Sequence, residues 1–353
     1  MTKRISLATS NITDEVRANV IACLDENRIG GGRFVEEFEA KTAEFLKAKH
    51  AIAVCNGTMA DMVALAALRA AMPFKTEVIV PALTFIAHPN SVLFNGLTPV
   101  FVDVGSDYQI DVAKIEGVIT DKTLAIMPAN LLGKPCDIFR IREVADRHSL
   151  FVVEDSCEAF GVRNPEADFS TYSFYPSHTI TTGEGGMVVT DSDELAKLAR
   201  DARNHGRRSD DFVLDKFKFD TLGYNGKMAN INAAIGAALV GTAAKVIRKR
   251  KDNVDAMNAL LDGTWFAESP HCYPISCKSS DERDRTLMTL EANGVEARKL
   301  FSCLPVQEEA YAHFGFGAGS FPVAEDIGNR GLFVPVHQDL TDEDIKKICQ
   351  LLQ

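Results

Sequence analysis

Five continuous apolar runs constrain this chain more than any other feature: "AIAVC", "EVIV", "PVFVDV", "LAIMP" and "LFVVED". They show no inside–outside alternation, so each is a strand buried on both faces. Helical segments separate them, and buried strands alternating with helices mean a mostly parallel sheet in an α/β fold. In such a sheet ligands bind beyond the carboxyl ends of the strands. Three residues stand there: Thr58 after the first run, Phe85 after the second and Asp155 after the last.

The flanking segments follow the same logic. Thr13 is placed to cap a helix with Val16, Val20 and Leu24 on one face. The glycines Gly30–Gly32 end that region, and "RFVEEFEAKTAEFLKA" opens a second helix. After about Gly206 the texture changes. "RRSDDFVLDKFKFD" is a charged surface excursion, and "MANINAAIGAALVGTAAKVIRKRKDNVDAMNALL" reads as one long helix. The expectation is a large domain over residues 1–240 and a smaller α+β domain over 241–353.

The chain has 353 residues and a formal net charge of −11. That balance leaves no basic stripe for nucleic acid. No continuous apolar stretch has the length of a membrane span, and "MTKRISLATSNITDEV" lacks the apolar core of a signal peptide. A cytoplasmic location is expected. The eight cysteines are scattered and read as reduced thiols. Cys272 and Cys277, beside His271, lack a second pair at zinc spacing, so no metal is expected.

Four short segments carry chemistry. "NGTMA" sets Gly57 and Thr58 at a helix start, where free N–H groups and the helix dipole suit a phosphate. A plain helix cap reads equally well from these residues alone. Asp155 in "VVEDSCEAFG" is placed to hold a protonated pyridine nitrogen, or simply to cap a loop. "TFIAH" offers Phe85 as a flat face and His88 one turn on. "SFYPSHTITTGEGG" sets Ser173 and His178 in an aromatic–proline turn before a glycine-rich bend.

In this order the segments resemble the DegT/DnrJ/EryC1/StrS sugar aminotransferases, pyridoxal-phosphate enzymes of fold type I. The resemblance runs through "GGGRFVEEFEAKTAEFL", "PALTFIAHPNSVLFNGLTPVFVDV", "NLLGKPCDI", "LGYNGKMANINAAIG" and "FPVAEDIGNRGLFVPVH". It implies a large domain with a mostly parallel mixed sheet flanked by helices, plus a smaller C-terminal α+β domain. It also implies roles: Gly57, Thr58 and Ser173 on the cofactor phosphate, Phe85 on the ring face and Asp155 on the ring nitrogen. Glu158 stands where many members carry a glutamine against the ring hydroxyl. Asn225 reaches the phosphate of a neighbouring subunit, which makes a homodimer with shared sites. Members carry an aromatic residue and an arginine after that asparagine; here Gly226 and Lys227 follow it.

His178 takes the place of the family's lysine, the residue that links covalently to the cofactor. An imidazole forms no stable link of that kind but moves protons near neutral pH. The turn resembles that of the 3-dehydratases of nucleotide-linked 4-keto-6-deoxy sugars, which use pyridoxamine phosphate. One branch of that subgroup holds an iron–sulfur cluster on cysteines between the histidine turn and "GYN". Here residues 179–223 contain no cysteine, and cluster ligation needs four soft ligands. The resemblance therefore points to the colitose-type branch, with glutamate as amino donor, a nucleotide-sugar substrate and no iron–sulfur cluster. Another reaction of the amine cofactor and a catalytically silent binding subunit are the alternatives. His88, Arg207, Arg208 and Lys227 are candidate substrate contacts.

Overall fold

A computed structural model describes residues 4–207, 218–301 and 304–353. Seven strands form the main sheet: β1 (His50–Val54), β2 (Glu77–Pro81), β3 (Thr98–Val102), β4 (Thr123–Ile126), β5 (Phe151–Asp155), β6 (Phe169–Ser173) and β7 (Gly186–Thr190). Their order is β1-β7-β6-β5-β4-β2-β3. Only β7 runs against its neighbours, so β1 to β6 point the same way. The five apolar runs are the first five of these strands.

Helices α1 (Asp14–Asp25), α2 (Arg33–Phe45), α3 (Gly57–Ala71), α4 (Ala87–Phe94), α5 (Val112–Ile115), α6 (Ile138–Arg147) and α7 (Asp193–Arg203) surround the sheet, with α8 (Asn230–Leu239). Alternate strand residues enter opposite cores, as the pleat requires. Ile52 and Val54 pack with α3 and α7, whereas Ala51 and Ala53 pack with α1, α2 and α8.

α1 begins as expected, with the Thr13 hydroxyl accepting the Val16 N–H at 3.2 Å. Its buried face differs from the expected one. Val16 and Cys23 are buried, whereas Leu24 is 57% exposed. Seven residues bring a helix back to within about 20° of its starting direction, but eight overshoot by about 80°. Cys23 therefore shares the face of Val16 and Leu24 does not.

The long helix is present as α8, a 3₁₀ turn at Val240–Thr242, and α9 (Ala243–Leu261). Among the described residues, this run from Asn230 to Leu261 is the one helix apolar and long enough to cross a membrane by composition, contrary to the sequence expectation. Its alanine-rich face is used otherwise: Ala233, Ala234 and Ala237 are packed into the core under α1 and α2. The charged segment from Arg208 onward falls largely outside the described residues.

A second sheet of β8 (Cys272–Ser276), β9 (Arg298–Lys299) and β10 (Gly331–Pro335) has the order β8-β10-β9. Helices α10 (Ser280–Ala292), α11 (Pro322–Arg330) and α12 (Asp342–Leu352) accompany it. Cys272 and Cys277 belong to different cores. The lead into β8 is laced to the loop after β4. Ser269 N donates to Gly133 O at 3.1 Å, and His271 N donates to Leu132 O at 3.2 Å.

This seam depends on Gly133. Its φ is +83°, and a Cβ built there would lie 1.9 Å from Ser269 O. Gly133→Ala is expected to destabilise the fold by about 1–3 kcal/mol, with Ser269 forced away from the loop. Denaturant unfolding of the two proteins measures the difference.

Candidate active site

The carboxyl ends of β1 and β6 flank the start of β7, because Val54 and Ser173 both pair with Gly186. That register brings the two phosphate-type segments together. Asn56 caps α3 by accepting the Met59 N–H at 2.8 Å. A Cβ on Gly57 would stand 2.6 Å from Ser173 Cβ and 3.0 Å from Ser173 Oγ. Only a glycine lets the helix start approach Ser173 this closely, leaving Thr58 beside a hydroxyl and an open helix N-terminus. Phe85 lies at the mouth of the site just before α4 and is 60% exposed.

Asp155 ends β5 with its side chain mostly covered. Its Oδ1 accepts the Cys157 N–H at 2.9 Å, and its Oδ2 lies 3.7 Å from His88 Nδ1. His88 is buried, and its Nδ1 pairs with Thr84 Oγ1 at 2.9 Å. Burial holds its pKa below the usual histidine value, against the pull of Asp155. His88 thus sits behind Asp155 as a neutral support.

Asp61, one turn into α3, completes this floor. It is buried and accepts the Thr171 hydroxyl at 2.6 Å. Burial and then the nearby Asp155 raise its pKa well above the carboxylate range. Ligand atoms of Asp61, Asp155 and Cys157 lie within 4.8 Å of one another. Burial also pushes the Cys157 thiol well up. Burial thus favours the protonated forms of Asp61 and Cys157, which suits a proton-holding floor better than a cation cage. The sequence reading missed Asp61; its signal was an acidic residue inside the apolar stretch "MADMVALAAL".

His178 lies in the turn after β6, its N–H donating to Tyr175 O at 3.0 Å. Its ring stands 5.2 Å from that of His271, centroid to centroid, at 50°. Nδ1 of each imidazole is buried without a hydrogen-bond partner. Arg250 of α9 is 2% exposed and reaches both segments. Nη2 donates to His178 O at 2.8 Å and Nη1 to Pro270 O at 3.2 Å. Burial, reinforced by the Arg250 charge, lowers the His178 pKa to about 3. Burial, His178 and Arg250 hold His271 well below its usual value. Arg250 was also unread in the sequence, where it looked like one cation in "RKRK".

Glu158 accepts the Leu132 N–H at 2.7 Å and approaches His271 Nε2 at 3.9 Å. Burial raises its pKa to about 7, so near neutrality it exists in both forms. The remaining candidates form a separate group beside α3. Lys227 pairs with Val54 as an isolated bridge, and its Nζ donates to Asn225 Oδ1 at 2.6 Å and Asn204 Oδ1 at 3.3 Å. Desolvation, then Arg203 and Arg207, lower its pKa. Arg207 lies over the Phe219 ring at 5.6 Å. Arg208 lies outside the described residues.

The site therefore has an open helix N-terminus with two hydroxyls, an exposed aromatic face, a strand-end carboxylate and a proton-transfer group. Residues 10–353 match the DegT/DnrJ/EryC1/StrS aminotransferase family. The chain belongs to that family.

GDP-perosamine synthase of Caulobacter vibrioides is 36% identical, over 99% of this chain and 97% of its own. Among solved structures, NtdA from Bacillus subtilis with bound cofactor PMP is 28% identical, with a TM-score of 0.89 over 98% of this chain and 82% of that one. GDP-4-keto-6-deoxy-D-mannose-3-dehydratase of E. coli, with bound hydrated PLP, has a TM-score of 0.90 and covers 100% of both chains. At 24% identity that likeness speaks for the fold alone. The fold is the type I fold of pyridoxal-phosphate enzymes. The family depends on pyridoxal phosphate and its amine form, and the Gly57–Ser173 cradle, Phe85 and Asp155 fit that group.

The low pKa of His178 makes a test. In an unfolded chain a histidine takes up a proton below about pH 6.5; in the fold His178 stays neutral down to about 3. The unfolded state thus binds more protons in this window, and stability falls as pH falls through it. His178→Asn removes this contribution. Its stability relative to wild type is expected to improve from pH 6.5 to pH 4, measured by urea unfolding at each pH.

Proposed function

We propose that the protein is a 3-dehydratase of a nucleotide-linked 4-keto-6-deoxy sugar, working with pyridoxamine phosphate and with glutamate as amino donor. The observation that carries this reading is His178 in the turn after β6, in a segment, "SFYPSHTITTGEGG", that contains no lysine. The name of the perosamine relative supports a GDP-linked sugar.

When bound, pyridoxamine phosphate would supply an amine able to join a keto carbon and a ring able to take up electrons. The residues of the chain do the rest. The open N-terminus of α3 at Gly57 and Thr58, with Ser173, holds the phosphate. Phe85 covers one ring face. Asp155, backed by neutral His88 and by Asp61, keeps the ring nitrogen protonated. Glu158 lies on the side of the ring hydroxyl. His178 takes a proton from carbon and delivers one to the hydroxyl leaving carbon 3, which departs as water. Glutamate, oxidised to its 2-keto acid as it restores the amine form with release of ammonia, would supply the two electrons of the deoxygenation, and the cysteine-free stretch 179–223 supports a site without an iron–sulfur cluster.

The proposal includes a cytoplasmic homodimer, with Asn225 of each subunit serving the other's phosphate and with Arg207, Arg208 and Lys227 near the nucleotide diphosphate. Residues 1–240 form the cofactor-binding domain and 241–353 the smaller one. The family name favours a second reading, amine transfer to the same sugar class. Imidazole weighs against it, because it cannot take the covalent role of a lysine.

Product mass spectrometry with a panel of nucleotide-linked 4-keto-6-deoxy sugars and glutamate separates the two. Loss of the C-3 hydroxyl is expected; a 4-amino sugar that retains that hydroxyl overturns the proposal. His178→Asn should bind cofactor but turn over roughly 10²–10⁴-fold more slowly. His178→Lys should acquire a borohydride-trappable covalent cofactor link and lose dehydration.

A further inference from the structure

Two imidazoles meet behind the histidine turn, and the proposed chemistry uses only one. His271 enters from the lead into β8, tied by its own N–H to Leu132 O at 3.2 Å. The same Leu132 donates its N–H to Glu158. One residue thus fixes the backbone of His271 and the carboxylate of Glu158, and the two side chains face each other at 3.9 Å. On its other side His271 faces His178, with ring centroids 5.2 Å apart. That separation lets facing ring nitrogens hydrogen-bond directly or through one water.

Both Nδ1 atoms are buried and unpartnered. A neutral imidazole has one N–H and one lone pair, so each ring can supply what the other lacks. The surrounding charges make such a partner necessary. Arg250 holds the His178 carbonyl, and Arg298 of β9 also acts on His271 from the second sheet. The buried Cys272 thiol follows His271, and the Phe333 ring of β10 packs at 6.4 Å. Both fixed charges facing the pair are positive. A proton arriving on His178 is stabilised as its charge spreads toward the carboxylate behind His271, Glu158.

We propose that His271 is a positioning residue for His178, the middle of a Glu158–His271–His178 relay that shares the positive charge while His178 holds the proton. The balance is simple. The proton leaving carbon arrives on His178, its charge is shared along the relay, and a proton returns through His178 to the departing hydroxyl, giving water. The relay itself moves only protons; the electrons that expel the hydroxyl come from the amine form of the cofactor, which glutamate restores. The inference rests on the proposed dehydration for its role, but the coupling between the two rings exists without substrate.

Histidine NMR on the cofactor-free protein therefore tests it first. At neutral pH, where both rings are neutral, the His271 ring-nitrogen shifts should change in His178→Asn, since the facing ring that completes its hydrogen bonding has been removed. Unchanged His271 ring-nitrogen shifts overturn the relay. In the loaded enzyme His271→Phe, close to histidine in shape, and His271→Gln, polar but unable to take the proton, should each lower kcat roughly 10- to 100-fold. That is the range for partners that orient a metal-bound histidine, taken here as the scale for a positioning residue. KM should stay within about twofold, and the acid limb of the kcat profile should shift. Either variant at wild-type kcat with an unmoved profile overturns the proposal. If the product panel shows amine transfer instead, the proposed reaction fails while the NMR comparison still decides the relay.

Discussion

A single buried guanidinium holds the two halves of the site in register. Arg250 projects from α9 and binds the carbonyls of His178 and Pro270. One of these belongs to the turn after β6, the other to the lead into β8. The two imidazoles meet because their backbones share this donor. A guanidinium keeps its charge under burial better than any other cation, and its planar fork serves two acceptors at fixed angles. Here burial lowers its pKa only to about 10, so it stays charged at neutral pH.

That charge has a consequence for chemistry. With burial as the larger cause, it helps keep both histidines neutral, which suits groups that must accept protons. It also makes an accepted proton costly to hold, and the carboxylate on the far side of His271 is Glu158, itself protonated in part near neutrality. The opposite arrangement exists beneath the strand ends. There Asp61, Asp155 and Cys157 crowd together, and burial keeps protons on Asp61 and Cys157. The site thus has a proton-rich floor under the β5 end and a proton-poor wall at the histidine turn. Such a separation of titratable groups by environment is how one pocket runs acid and base chemistry together.

The parallel sheet was legible because burial on both faces leaves its mark on every residue of a strand, as in "AIAVC" and "LFVVED". The helix start at Gly57 and the strand-end Asp155 were legible because caps and strand ends are local features. Leu24 shows the limit of this local reading. Its spacing fitted a helical face, but seven residues rather than eight return to the buried side, and only the packed neighbours select between them. The alanine-rich helix from Asn230 shows another limit. Its composition suits lipid as well as a protein core, and α1 and α2 decide which it meets.

By itself the sequence determined the fold class, the order of the chemical segments and a histidine turn without lysine at 173–186, because each is written in contiguous residues. The tertiary structure alone decided that His271, Arg250 and Asp61 join them. Arg250 and His271 lie 72 and more residues from His178, in segments whose composition suggests a surface helix and a metal-like cysteine pair. Their role arises from the chain crossing at Leu132–Gly133, where a left-handed turn lets β8 approach the main sheet. No spacing rule records such a crossing, since the energy that fixes it comes from hydrogen bonds between distant backbones.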